Sequence, residues 1–153
     1  MKKIIIFILL VIPYLTFAQN EFNLTGLKSV KIQLIDNYGA LSKQAAQHLQ
    51  QEIKMRCLAA GLKVTENKAA GALQMKIELV RSNSFADPRV YLSLAVLERV
   101  KSYRTLANIN AYTYFNGSLL TIAEISLNDK IFVFYIDYLF KDFINAWLAV
   151  NES

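Results

Sequence analysis

The chain is poor in the residues that most often announce a chemistry. Its 153 residues hold one cysteine, one histidine, five glycines and two prolines. A lone Cys57 excludes an intramolecular disulfide, so stability must come from packing. One His and one Cys cannot build a zinc site, and no Asp-rich loop of the calcium type occurs. The glycines are scattered at turns rather than gathered into a loop that cradles phosphate. His48 and Cys57 lie nine positions apart on one predicted helix, about 180° around its axis, so they cannot form a nucleophile–base dyad. Glu78, Glu98, Glu124 and Asp137 are the candidates for a carboxylate pair, and nothing in their spacing brings two of them together. With no catalytic constellation, metal site or cofactor motif, the expectation is a protein that is not an enzyme and carries no cofactor.

Long apolar runs are also scarce. The first twenty residues read MKKIIIFILLVIPYLTFAQN. Lys2 and Lys3 precede an apolar run over 4–12, Pro13 breaks it, and Thr16 and Ala18 occupy the −3 and −1 positions of a cleavage site. A membrane span needs about 20 apolar residues, so residues 1–18 are expected to be a cleavable signal peptide and 19–153 a single domain. Gln19 and Asn20 stand where a lipid-attachment cysteine would be, which implies a mature protein in the periplasm or outside the cell. The chain has 17 Lys and Arg against 12 Asp and Glu. Loss of Lys2 and Lys3 leaves 15 against 12, a mild excess with no basic run, so nucleic acid is not an expected partner.

What is present is alternation. In residues 27–35, Val30, Ile32 and Leu34 face one way and Lys31 and Gln33 the other, a half-buried strand. Residues 41–60 have helical spacing, with Ala45, Leu49, Ile53, Cys57 and Ala60 on one side and Gly61 as a C-terminal stop. A short strand over 62–66 follows. Leu73, Met75, Ile77 and Leu79 then alternate with polar residues, as do Val90, Leu92, Leu94 and Val96. That pattern slips at Glu98, which strict register would turn into the core, and a bulge or a strand end there would resolve it. In residues 108–116, Ile109, Ala111 and Phe115 oppose Asn110, Tyr112 and Tyr114. Asn116-Gly117 predicts a hairpin turn, with a further short strand over 119–124.

Asn128 or Asp129 can cap a final helix over 130–150. Lys130, Asp137, Lys141 and Asn145 gather on one side of its wheel, opposite Phe132, Ile136, Leu139, Phe140, Phe143, Trp147 and Val150. Placing its charges in hydrocarbon would cost about 2.5–3.5 kcal/mol each, so this is a docked helix and not a span. Phe134 and Tyr138 fall near the polar side and are candidates for a partner site. The predicted fold is α+β: a two-layer sandwich, with a mostly antiparallel sheet of four to six strands and two helices packed on one face.

The remaining candidates sit on the polar face of the sheet. If alternation holds, Lys31, Lys76, Tyr91, Arg99, Lys101, Tyr112 and Tyr114 share it. Tyrosine interleaved with basic residues offers flat stacking area beside charge, a composition that suits an envelope protein, a glycan or a lipid headgroup. Tyr and Lys also suit exposed strand positions without any ligand.

The leader, the strand KSVKIQLI, the helix ending in LAAGLKV and the closing FINAWLAVN together resemble small exported bacterial envelope domains of βαββββα type. The resemblance implies an accessory or assembly role. Many such domains are lipoproteins, and the chain departs from them in lacking a cysteine after the leader. The functional expectation is a non-enzymatic, exported cell-envelope accessory or binding protein acting through protein contacts. The alternative is a carrier holding a lipid or glycan between sheet and helices.

Overall fold

The computed structural model describes residues 23–80, 89–121 and 127–151. The leader, the loop after Ser82 and Glu124 lie outside the described residues. Five strands form one sheet in the order β2-β1-β3-β4-β5, comprising β1 (Ser29–Asp36), β2 (Lys63–Val64), β3 (Gly71–Val80), β4 (Arg89–Lys101) and β5 (Asn108–Thr121). Helix α1 (Lys43–Ala59) joins β1 to β2, and the chain ends in α2 (Leu127–Phe134), a π-helical segment (Tyr135–Phe140) and α3 (Lys141–Asn151). The crossover through α1 makes β1 parallel to both β2 and β3, whereas the longer β3–β4 and β4–β5 ladders are antiparallel. The sheet is therefore mixed and mostly antiparallel, in the expected α+β class.

Local chemistry sets each boundary. The Asp36 carboxylate accepts from the backbone N–H groups of Ala40 and Leu41 at 3.0 and 2.9 Å, closing the turn after β1. Ser42 caps α1 by accepting from the Ala45 N–H at 3.1 Å. At the other end Gly61 takes a φ of +89°, the Leu62 N–H reaches the Cys57 carbonyl, and the Gly61 N–H reaches that of Leu58. These two bonds form a Schellman motif, which is why the helix stops at the glycine.

Leu49, Ile53 and Cys57 of α1 and Ile131, Tyr135, Leu139, Phe143 and Trp147 of the final helix bury themselves on one face of the sheet. There they meet Val30, Leu73, Met75, Ile77, Val90, Leu92, Leu94 and Val96. Five of the final helix's buried residues recur every four positions from 131 to 147, with buried Ile136 and Phe140 beside them. In an α-helix of 3.6 residues per turn, such a series drifts by about 40° per step. The wider turns of the π segment take up that drift and keep the stripe on the sheet. This keeps Ile131 and Tyr135 in the core, whereas Val150, expected on the apolar arc, is exposed in the last turn of α3. Asn128 does not cap its own helix but accepts from the Ser42 N–H at 3.3 Å. No helix among the described residues is long and apolar enough to cross a membrane.

Two expectations on β5 are corrected. Asn116-Gly117 is not a turn, because β5 runs through it as one strand of 14 residues. A Cβ on Gly117 would run into the phenol of Tyr91 and lie 3.0 Å from the Leu92 carbonyl oxygen, so this glycine makes room for a ring rather than for a bend. Tyr114 is not on the polar face. The register slips between Val96 and Leu97, whose partners are Tyr114 and Tyr112, leaving Thr113 as the extra residue of a bulge. The extra residue reverses the alternation, so Tyr114 is 2% exposed in the core and Phe115, expected inside, is 43% exposed on the other face.

Candidate functional site

Residues paired across strands share a face, so the side of the sheet away from the helices can be built row by row. Lys31, Ala72, Leu97 and Tyr112 form one row, and Gln33, Gln74, Ala95 and Phe115 the next. Ile35, Lys76, Ser93 and Gly117 follow, then Glu78, Tyr91 and Leu119. At the end nearer the β4–β5 hairpin, Arg99 stands opposite Asn110 and Lys101 opposite Asn108. The described helices pack on the opposite side, and none lies on this face.

Six of the seven polar-face candidates are thus brought onto one surface, and Tyr114 is the exception. They are not equivalent. Lys76 is held by Glu78 at 2.7 Å, and this hydrogen bond raises the pKa of the ammonium. Lys31 lies 3.6 Å from Glu66. Tyr91 is half-buried over Gly117. Tyr112 projects freely, 61% exposed, with its ring edge-on to Phe115 at 6.0 Å. Arg99 and Lys101 are exposed. Alternation alone missed Phe115 and Leu119, which continue the exposed stripe of Tyr112 along β5. The slip at Glu98 was the signal, since it marks where the two strands lose their common phase.

Beside the hairpin the rows descend into a groove of about 1000 Å³. Gln33 and Gln74 lie at its floor, joined by a 2.9 Å hydrogen bond from Gln74 Nε2 to Gln33 Oε1. Lys68 lines it from the turn after β2, and Arg99, Asn108 and Asn110 line it from β4 and β5. A second, shallower cleft of about 370 Å³ lies where Leu120 meets Val133, Phe134 and Tyr138. Phe134 and Tyr138 stack there, with centroids 5.3 Å apart and planes 25° apart; Tyr138 is 59% exposed and Phe134 half-buried.

No protein-family model matches the chain, and no curated protein does. Two solved structures show a weak likeness of fold. One is a minor lipoprotein from Acinetobacter baumannii, 10% identical, with a TM-score of 0.35, over 81% of this chain and 93% of that one. The other is PelC from Paraburkholderia phytofirmans, solved as a dodecamer of a substituted form, 12% identical, with a TM-score of 0.40, over 80% of this chain and 86% of that one.

Among the described residues the layer between the sheet and the final helix is packed, while a cleft of about 370 Å³ opens between α1 and the sheet, where Ile32 and Val64 face Gln47, Gln51 and Lys54. Tyr114 meets Phe143 edge-on at 5.3 Å, and Phe143 meets Phe140 at 5.9 Å. Tyr135 donates its hydroxyl to the Lys76 carbonyl at 2.7 Å, with the Ser93 carbonyl 3.3 Å away. Burial raises the pKa of this phenol, so it remains a donor. Burial likewise pushes the Cys57 thiol up to about 12, which keeps it protonated and unreactive at neutral pH. His48 is exposed but stacks on Phe132 at 4.8 Å, tying α1 to α2.

The carboxylate candidates are dispersed. Glu78 is on the open face beside Lys76, while Glu98 is on the helix side, accepting from the Thr113 hydroxyl at 2.6 Å. Asp137 is exposed on the π segment. Among the described residues no three His, Cys, Asp or Glu side chains gather into a metal-binding group.

Proposed function

We propose that this protein is an exported, non-enzymatic accessory protein of the cell envelope, and that it works by docking another protein on its open sheet face along β5. One observation carries the reading. β5 is an edge strand of 14 residues with no charged side chain, and Tyr112, Phe115 and Leu119 stand exposed along its open face. Edge strands are usually guarded by Lys, Pro or short length, because their unpaired backbone groups template pairing with other chains. Here, among the described residues, the bulge at Thr113 is the one such device, and the apolar stripe sits beside it. An extended segment laid along β5 would gain backbone hydrogen bonds from the edge and side-chain contacts from the stripe. The cleft between α1 and the sheet is lined mainly by Gln47, Gln50, Gln51, Lys54 and Glu66, and supports a carrier with its site there less well than the β5 stripe supports docking.

Site-specific photocrosslinking in the producing cell tests this. A photoreactive residue at Phe115 should yield one discrete protein adduct, and the same residue at Lys54, exposed on α1, should not. Tyr112→Ser with Leu119→Ser should abolish the adduct while the purified protein stays folded. Recovery of uncrosslinked monomer alone, or equal adducts from both positions, would overturn the reading.

A further inference from the structure

The groove beside the β4–β5 hairpin is chemically unlike the β5 stripe. Its lining brings four carboxamides, from Gln33, Gln74, Asn108 and Asn110, together with the cations Lys68 and Arg99, and among the described residues it contains no carboxylate. These residues come from β1, β3, β4, β5 and the turn after β2, so the fold assembles the set and no local motif does. Two features give the groove its depth. Ala72 is the smallest side chain in its row, between Lys31 and Leu97, so the floor sinks there. The turn carrying Lys68 is held up as a wall by Asn67, whose side chain accepts from the Ala69 N–H at 2.9 Å. Among the described residues neither Lys68 nor Arg99 forms an ion pair.

A carboxamide donates and accepts through one planar group, which is also what a sugar's adjacent hydroxyls do. Four of them in one groove match a polyhydroxylated ligand better than a peptide, which would draw on backbone edges. Nucleic acid would call for aromatic stacking platforms inside the groove, where the apolar lining is Leu97 and alanines. Tyr112 stands two residues along β5 from Asn110, on the same face, and offers an exposed ring at the rim for the apolar side of a pyranose. The two cations, unopposed by acid, add a preference for negative charge, and a guanidinium binds carboxylate through paired hydrogen bonds. The volume of about 1000 Å³ is at the upper end of ordinary ligand sites, room for more than one ring.

We infer that this groove is a binding site for an acidic saccharide chain, its hydroxyls held by the amides of Gln33, Gln74, Asn108 and Asn110 and its carboxylate by Arg99 with Lys68. The site shares the open face and the rim residue Tyr112 with the proposed protein-docking stripe but does not use Phe115 or Leu119, and its test rests on Arg99. Loss of the Phe115 adduct and loss of sugar binding are therefore separate outcomes.

The test is a nuclear magnetic resonance titration of the isotope-labelled protein, residues 19–153, with oligogalacturonate. Parallel arms use the methyl-esterified oligosaccharide and inorganic phosphate. Oligogalacturonate should shift the side-chain amide signals of the four carboxamide residues, and the neutral ester should bind several-fold more weakly. Arg99→Gln, a change at an exposed position, should weaken binding roughly tenfold, whereas Lys54→Gln should leave it unchanged. Three results would overturn the inference: no shift at millimolar oligosaccharide, equal binding of acid and ester, or the same amide shifts with phosphate alone.

Discussion

The Thr113 hydroxyl donates to Glu98 Oε2 at 2.6 Å, joining the extra residue of the β5 bulge to the one carboxylate that β4 turns toward the helix layer. The Glu98 side chain also lies against Gly71, where an added Cβ would sit 3.0 Å from Glu98 Cγ. The acid that breaks the apolar pattern and the residue that breaks the register therefore satisfy each other.

Thr113→Val should leave the Glu98 carboxylate part-buried without this donor and cost about 1–3 kcal/mol. Thr113→Ser, which keeps the hydroxyl, should lose much less. Urea unfolding midpoints compare the two.

Gly117 and Tyr91 should be coupled. Gly117→Ala pushes a methyl into the Tyr91 phenol and toward the Leu92 carbonyl, and is expected to cost about 1–3 kcal/mol. Trimming the ring with Tyr91→Ala in the same chain should recover part of that loss. A double-mutant cycle should read a coupling of at least about 0.5 kcal/mol, and strict additivity would show that the ring does not occupy the glycine's space.

The N-terminal segment is held by the last turn of α3. Trp147 Nε1–H donates to the Leu27 carbonyl at 2.8 Å, and the Asn151 side chain donates to the Leu24 carbonyl and accepts from the Gly26 N–H, each at 2.9 Å. Asn151→Ala should accelerate hydrogen exchange at the Gly26 amide while leaving the amides of β3 and β4 protected. Trp147→Phe should lower global stability by about 1–2 kcal/mol through the lost hydrogen bond and the lost packing.

Alkaline pH should destabilise the fold. Burial pushes the Cys57 thiol from 9.0 up to about 12 and the Tyr114 phenol from 10.0 up to about 12. Between those values the unfolded chain has released protons that the native state still holds, so stability is full below about pH 9 and falls as the pH rises toward 12. Denaturant midpoints from pH 7 to 11 should show this decline. Cys57→Ala, although less stable throughout, should show a shallower slope between pH 9 and 10.

The amino-acid sequence by itself determined the class of the fold and the faces of its regular elements. Alternation in β3 and in β4 up to Val96, the apolar stripe of α1 and the stop at Gly61 are local properties, set by side-chain periodicity and a single left-handed residue. Tertiary structure decided what depends on partners. Whether Asn116-Gly117 bends or runs straight turned on the ring of Tyr91 lying over the glycine. Tyr112 and Tyr114 ended on opposite faces because β5 carries an extra residue, Thr113, whose hydroxyl meets Glu98, fifteen residues away. The stripe of the last helix followed a π segment that a wheel drawn at 100° per residue cannot represent. The groove beside the hairpin was the least legible feature. Its amides lie on three strands and each is an ordinary surface residue alone, until pairing of β1, β3, β4 and β5 sets them around one floor.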